Sequence, residues 1–207
     1  MPISYIPLRI YPVLLIYLFN RTMRLELYIG PMFAGKSSSI IGILRRHAII
    51  GRRTVCFTSS LDTRYSSEGH IVSHDQVKYP AKALNTLLPE INTDQFRQAH
   101  CIIIEEAQFF PDLKDFVLSA VETYDKYVIC VGLDGDAERR PFGQILDLIP
   151  FADSVVKFKA YCSHCSNGTD AIFTHRKAGP SETQISVGTA VEYEALCRRH
   201  YLAAKKI

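Results

Sequence analysis

Gly30-Pro31-Met32-Phe33-Ala34-Gly35-Lys36-Ser37 fits the spacing G-x-x-x-x-G-K-[ST] in full. Such a run suits phosphate. Its glycines let backbone N–H groups curl around oxyanions, and a helix that starts there adds partial positive charge. Lys36 can reach the terminal phosphates of a nucleotide, and the Ser37 hydroxyl can ligate Mg²⁺. Farther on, Cys101-Ile102-Ile103-Ile104-Glu105-Glu106 ends an apolar run in two carboxylates. In open α/β sheets, ligands bind at the carboxyl ends of the strands. Neighbours on an extended chain face opposite sides. Glu105 and Glu106 can therefore divide the work, one turned to a metal and the other to an acceptor hydroxyl.

A second chemistry sits near the carboxyl end. Cys162-x2-Cys165 is followed by Cys197-x2-His200, two close ligand pairs joined by a loop, as in zinc ribbons. Thiolate and imidazole donors favour Zn²⁺ in tetrahedral geometry. Four protein ligands leave no open position, so the expected role is structural. The intervening loop buries little, and the metal supplies its folding energy. His164 is a poor fourth ligand and is expected to be solvated. Cys56, Cys101 and Cys130 sit in or beside apolar runs and read as small core residues. This is the cysteine usage of a reducing compartment.

The elements that must hold these groups alternate in type. Leu25–Ile29, Val55–Phe57, Cys101–Ile104, Tyr127–Leu133 and Ser154–Phe158 read as strands. Ser38–Ile50 and Phe116–Tyr124 read as helices, the second after a start signal at Pro111. Residues 59–74 read as a polar loop. The alternation implies a parallel sheet with helices on both faces. We divide the chain into an extension, residues 1–22, a P-loop domain, 23–160, and a small zinc-ribbon-like domain, 161–207. Ile10–Phe19 is apolar but too short to span a bilayer, and Pro12 interrupts it. We read residues 1–22 as an upstream extension, with a targeting segment and a packing arm as alternatives. With 47% hydrophobic and 22% charged residues the chain falls in the soluble globular class. Its net charge of +3 is too small to argue for a nucleic-acid partner. His47, His70, His74, His100 and His175 show no ligand spacing. Arg45-Arg46 and Arg52-Arg53 read as solvated surface, and Arg139-Arg140 either steer phosphate or do the same.

From Met23 to His200 the sequence resembles the type II thymidine kinases. The resemblance is carried by the phosphate loop, by Asp62-Thr63-Arg64-Tyr65-Ser66 and by Glu106-Ala-Gln-Phe-Phe-Pro111. Leu133-Asp134-Gly135 with Pro141-Phe142-Gly143, and the cysteine pairs with Tyr201, complete it. It implies ATP with Mg²⁺ and a structural Zn²⁺ as cofactors. It implies transfer of the γ-phosphate to the 5′-hydroxyl of thymidine, and of deoxyuridine, in nucleotide salvage. Glu106 is then the general base, and Lys36 and Arg64 stabilise the moving phosphoryl group. Asp62, Thr63, Glu105 and Gln108 lie around the nucleotide with residues 30–37. Ser37 and Glu105 hold Mg²⁺, Glu105 standing where the family usually has Asp. Met32, Phe109, Leu133, Ala137, Thr174 and Tyr193 line the nucleoside pocket. A lasso, Gln184-Ile185-Ser186-Val187-Gly188, closes over it. Ala137 replaces the family's usual aromatic, and stacking on a base is worth roughly 1–3 kcal/mol, so weaker or less selective thymidine binding is expected. The resemblance further implies a cytoplasmic homotetramer inhibited by dTTP, with no membrane or nucleic-acid partner.

Two other readings fit parts of this pattern. A nucleic-acid-dependent ATPase would join a P-loop domain to a zinc ribbon, but it needs a basic, aromatic-studded face. A non-catalytic nucleotide sensor would account for Glu105 and Ala137.

Overall fold

The computed structural model describes residues 23–61, 70–72, 77–178, 184 and 190–205. The expectations for residues 1–22, for Asp62, Thr63 and Arg64, and for Ile185, Ser186, Val187 and Gly188 lie outside the described residues.

Cys101–Ile104 is a strand with all four side chains buried, which is what an unbroken run of β-favouring apolar residues gives in a sheet covered on both faces. In chain order the elements are β1 (Arg24–Ile29), α1 (Lys36–Ile49), β2 (Thr54–Ser59), β3 (His70–Val72), β4 (Lys78–Pro80), β5 (Lys82–Leu84), α2 (Asp94–Gln98), β6 (Cys101–Ile104), α3 (Leu113–Leu118) and β7 (Tyr127–Gly132). Then follow β8 (Ser154–Lys157), β9 (Ala160–Tyr161), β10 (Asp170–Ala171), β11 (Phe173–Arg176), β12 (Tyr193–Leu196) and α4 (Arg198–Ala204). Six strands form one sheet in the order β5-β2-β6-β7-β1-β8, and every pairing is parallel.

Side-chain alternation along these strands builds two cores. Ile103, Ile129 and Val131 face α1, whose Ile40, Ile41, Ile43 and Leu44 are the expected apolar stripe. Ile102, Ile104, Val128 and Cys130 face Phe96 of α2 and Leu113, Phe116 and Val117 of α3. A third, smaller core of Ala160, Cys162, Ala171, Ala195, Leu196, Cys197 and Tyr201 holds the carboxyl-terminal hairpins, β9–β10 and β11–β12, against α4. Among the described residues no helix is long and apolar enough to cross a membrane.

Three details differ from the sequence reading. The segment read as a loop contains β3, paired antiparallel with β4. The sheet gains the edge strand β5, whose mostly exposed residues give no hydrophobic alternation to detect. The helix expected from Phe116 begins at Leu113, because Leu113 is buried with Phe116, Val117, Ala120 and Val121 on one stripe. It ends in a wider π turn over Ser119–Thr123.

The pairing of α1 with β2 makes a testable contribution to stability. His47 is buried on α1 with its Nδ1 3.0 Å from the Thr54 hydroxyl. Burial, and then the Arg52 and Arg46 guanidinium groups, push its pKa below the ordinary histidine value. The unfolded chain therefore takes up this proton first as pH falls. Stability from His47 is fully present above about pH 6.5 and is lost as pH drops through the folded value. Chemical denaturation of His47→Gln should show a flatter stability profile between pH 7 and 5 than the parent.

Candidate active site

The phosphate loop joins β1 to α1. No acidic side chain lies in the first turn of α1, so its amino end keeps its positive character. Lys36 Nζ donates to the carbonyls of Gly30 and Pro31, at 3.1 and 2.7 Å. It is thus curled over its own loop. Ser37 Oγ donates to Glu105 Oε1 at 2.5 Å, across the mouth of the loop. The two proposed Mg²⁺ ligands therefore meet, although 68 residues separate them. A hydroxyl beside a carboxylate is an all-oxygen donor pair, which fits Mg²⁺ rather than a softer metal.

Glu105 and Glu106 leave the end of β6 in different directions. Glu105 is buried. Glu106 is half-buried and takes a left-handed conformation, φ 51°, which a non-glycine residue holds only where its surroundings impose it. Gln108 is part of those surroundings. Its Nε2 donates to Glu106 Oε2 at 2.5 Å and its Oε1 accepts from the Leu133 N–H at 3.0 Å. A Cβ at Gly132 would collide with that Oε1, and one at Gly143, where φ is +58°, would collide with the Gln108 backbone carbonyl. Both glycines thus make room for Gln108. The Phe109 ring stands edge-on to Phe142 at 5.5 Å.

The carboxyl-terminal hairpins touch both loops of the site. The Thr174 hydroxyl, buried on β11, accepts from the Met32 N–H at 3.0 Å. Phe33 and Ala34 pack on the third core. Asp136 is buried, and its two oxygens accept from Glu138 N, Arg140 N, Arg140 Nε and Gln184 Nε2, at 2.9, 2.8, 2.7 and 3.0 Å. Burial pushes this carboxyl upward, but the bonds from Arg140, Gln184 and Glu138 outweigh it and hold its pKa below the ordinary value. Gln184 also donates to the Pro141 carbonyl at 3.0 Å. Tyr193 is buried on β12.

Cys162, Cys165, Cys197 and His200 converge, with all ligand atoms within 4.8 Å of one another. Cys165 and Cys197 sulfurs lie 3.8 Å apart, far too long for a disulfide. His200 Nδ1 lies 3.4, 3.3 and 3.5 Å from the three sulfurs of Cys162, Cys165 and Cys197. A zinc tetrahedron has edges of about 3.5–3.8 Å, so the donors fit Zn²⁺. Burial raises the Cys162 thiol, but backbone N–H groups of Cys197 and His164, then His200 and Cys165, bring it down to about 6. His164 is not simply solvated. Its Nε2 pairs with Glu194 Oε2 at 2.9 Å, and the other oxygen of Glu194 pairs with His175 Nδ1, also at 2.9 Å. Outside the cluster, Cys56, Cys101 and Cys130 are buried and unbridged, as expected.

The profile of the family described as thymidine kinase matches residues 23–201. The chain belongs to the thymidine kinase family. Thymidine kinase a of Arabidopsis thaliana is 42% identical over 176 residues, which are 84% of this chain and 72% of that protein. The cytosolic thymidine kinase of Homo sapiens is 35% identical over 178 residues, 86% of this chain and 73% of that one. The thymidine kinase of Monkeypox virus is 35% identical over the same length, 86% of this chain and 96% of the viral protein.

Within this thymidine kinase family member, two residues escape a reading of the sequence. Asp136 organises residues 136–140, and the four-residue spacing of Asp136 and Arg140 is the one local signal that could have marked it. Tyr201, whose hydroxyl donates to the Ala137 carbonyl at 2.7 Å, gave no signal beyond its place after His200. Gln108, read from the resemblance as a nucleotide contact, has its side-chain hydrogen bonds with Glu106 and Leu133. Gln108→Leu should lower kcat about tenfold, with the KM for ATP unchanged, because Glu106 loses the hydrogen bond from Gln108 Nε2. Thermal melting should also register the stranded Leu133 N–H, at about 1–3 kcal/mol. An unchanged kcat would remove Gln108 from the machinery that holds Glu106.

Proposed function

We propose that this chain transfers the γ-phosphate of ATP to the 5′-hydroxyl of thymidine, and of deoxyuridine, yielding the monophosphate for DNA precursor synthesis. One observation carries the reading. Ser37 of a phosphate loop touches Glu105, and the next residue, Glu106, is held in a strained conformation with its carboxylate fixed by Gln108. A nucleotide site and a candidate base thus lie one residue apart on a strand end.

In this reading the loop N–H groups and the amino end of α1 bind the phosphates. Lys36 leaves the Gly30 and Pro31 carbonyls for the phosphate oxygens. Arg64 adds positive charge to the transferring group. Ser37 and Glu105 would hold Mg²⁺, which would neutralise phosphate charge when bound. Glu106 accepts the 5′-hydroxyl proton as the oxygen attacks in line. Met32, Phe109, Leu133, Ala137, Thr174, Gln184 and Tyr193 surround the nucleoside, together with residues 185–188. The three cysteines and His200 would hold Zn²⁺, which would order the carboxyl-terminal domain, residues 161–207, so that Thr174 and Tyr201 reach the domain of residues 23–160. We further infer a cytoplasmic homotetramer with dTTP as feedback inhibitor, on the strength of the family.

The test is ATP-dependent transfer of labelled phosphate to thymidine, deoxyuridine and deoxycytidine. Transfer to the first two and not to deoxycytidine is the expected pattern. ATP binding with no transfer to any nucleoside would overturn it in favour of a sensor.

A further inference from the structure

Residues 136–140 are engaged one after another. The Asp136 carboxylate ties back to Glu138, Arg140 and Gln184. The Ala137 carbonyl accepts from Tyr201 Oη at 2.7 Å. Glu138 pairs with Lys205. The Arg139 guanidinium lies 4.8 Å from the centre of the Tyr201 ring and 5.5 Å from that of Phe173. Three consecutive residues therefore bond to or stack on one face of the carboxyl-terminal unit, and Tyr201 meets two of them.

Tyr201 is 1% exposed. It follows the cluster ligand His200 directly, and its N–H donates to the carbonyl of the ligand Cys197 at 2.9 Å. Its ring packs 5.0 Å from Phe173, in the core that also receives Phe33 and Ala34 of the phosphate loop. At the other end of the 133–140 stretch, Gln108 grips the Leu133 N–H and Glu106 together. The stretch is thus held at Leu133 by Gln108, and at its distal end by the Asp136 carboxylate, the Glu138–Lys205 pair and Tyr201, which bonds to its backbone from beside the cluster.

We infer that Tyr201 is a positioning residue for nucleoside binding: its hydroxyl fixes the distal half of the 133–140 loop to the cysteine–histidine cluster and so sets the width of the base pocket. This rests on the thymidine kinase reading above. Loosening the distal end loosens grip on the base, while the Gln108 end keeps Glu106 in place. The effect should fall on KM and spare kcat.

Tyr201→Phe keeps the ring and removes one buried hydrogen bond. The thymidine KM should rise about fivefold, the equivalent of one neutral hydrogen bond, with kcat within about twofold of the parent. The KM for ATP and the metal content should match the parent. Amide exchange of the peptide covering residues 134–143 should be faster. Lys205→Met, which removes the Glu138 pair from the surface side, should move the same two readouts less, and it decides the matter if the Phe variant does not fold. A purely structural Tyr201 would lower the melting temperature and leave both KM and exchange unchanged, which overturns the proposal. If the parent chain phosphorylates no nucleoside, the functional reading fails by itself, and the exchange rates of residues 134–143 then decide the joint.

Discussion

Glu106→Gln should reduce phosphate transfer to thymidine by about 10²–10⁴, the usual worth of a general base, and leave ATP binding intact. The amide keeps the size of the carboxylate and can still bond to Gln108 through its oxygen, so the left-handed turn at Glu106 persists. What it cannot do is accept the hydroxyl proton. Binding of a fluorescent ATP analogue, measured beside the transfer assay, separates the two effects. Retention of more than a tenth of the parent rate would move the proton to another acceptor. The strain at Glu106 would then have to serve some purpose other than catalysis.

The second large effect concerns metal. The parent chain should contain one zinc per polypeptide, and protein stripped of zinc by a chelator, then freed of the chelator and assayed in excess Mg²⁺, should have lost thymidine transfer. Cys165→Ser should purify without zinc and behave likewise. The reason is the make-up of the third core. Beyond its cysteines its buried residues among those described are three alanines, Leu196 and Tyr201, with only Phe33, Ala34 and Phe173 packed partly buried against them, too little apolar area to order the hairpins β9–β10 and β11–β12. In small zinc modules the metal supplies most of the folding free energy, apparent values running to about 10–16 kcal/mol. The loss spreads because Thr174 holds the Met32 N–H and Tyr201 holds Ala137. The phosphate loop and residues 133–140 should loosen together. Full transfer activity in zinc-free protein would show that these contacts survive without the metal, and the cluster would then be incidental to the site.

Both predictions begin in features legible in the chain itself. The G-x-x-x-x-G-K-[ST] run, the buried strand ending in two glutamates and the paired cysteines announce themselves because each obeys a local rule. Backbone N–H groups must surround phosphate, a buried strand must be apolar on both faces, and metal ligands must come in close pairs. The strands read at Tyr127–Leu133, which ends one residue earlier at Gly132, and at Cys101–Ile104 were readable for the same reason. Lys82–Leu84 was not, since an edge strand buries little and leaves no periodic trace.

Local rules of residue type and spacing specify the chemical inventory: a phosphate loop, a pair of carboxylates and a metal-binding quartet, carried on a parallel α/β sheet. How these parts are joined depends on the folded packing. That Ser37 meets Glu105 across 68 residues, that Gln108 holds Glu106 and Leu133 at once, and that Tyr201 reaches the Ala137 carbonyl across 64 follows from the order in which the strands pair. Such contacts have no sequence period. A single buried hydrogen-bonding group is placed by the whole packing around it, so its partner can be found only once the fold has brought the two together.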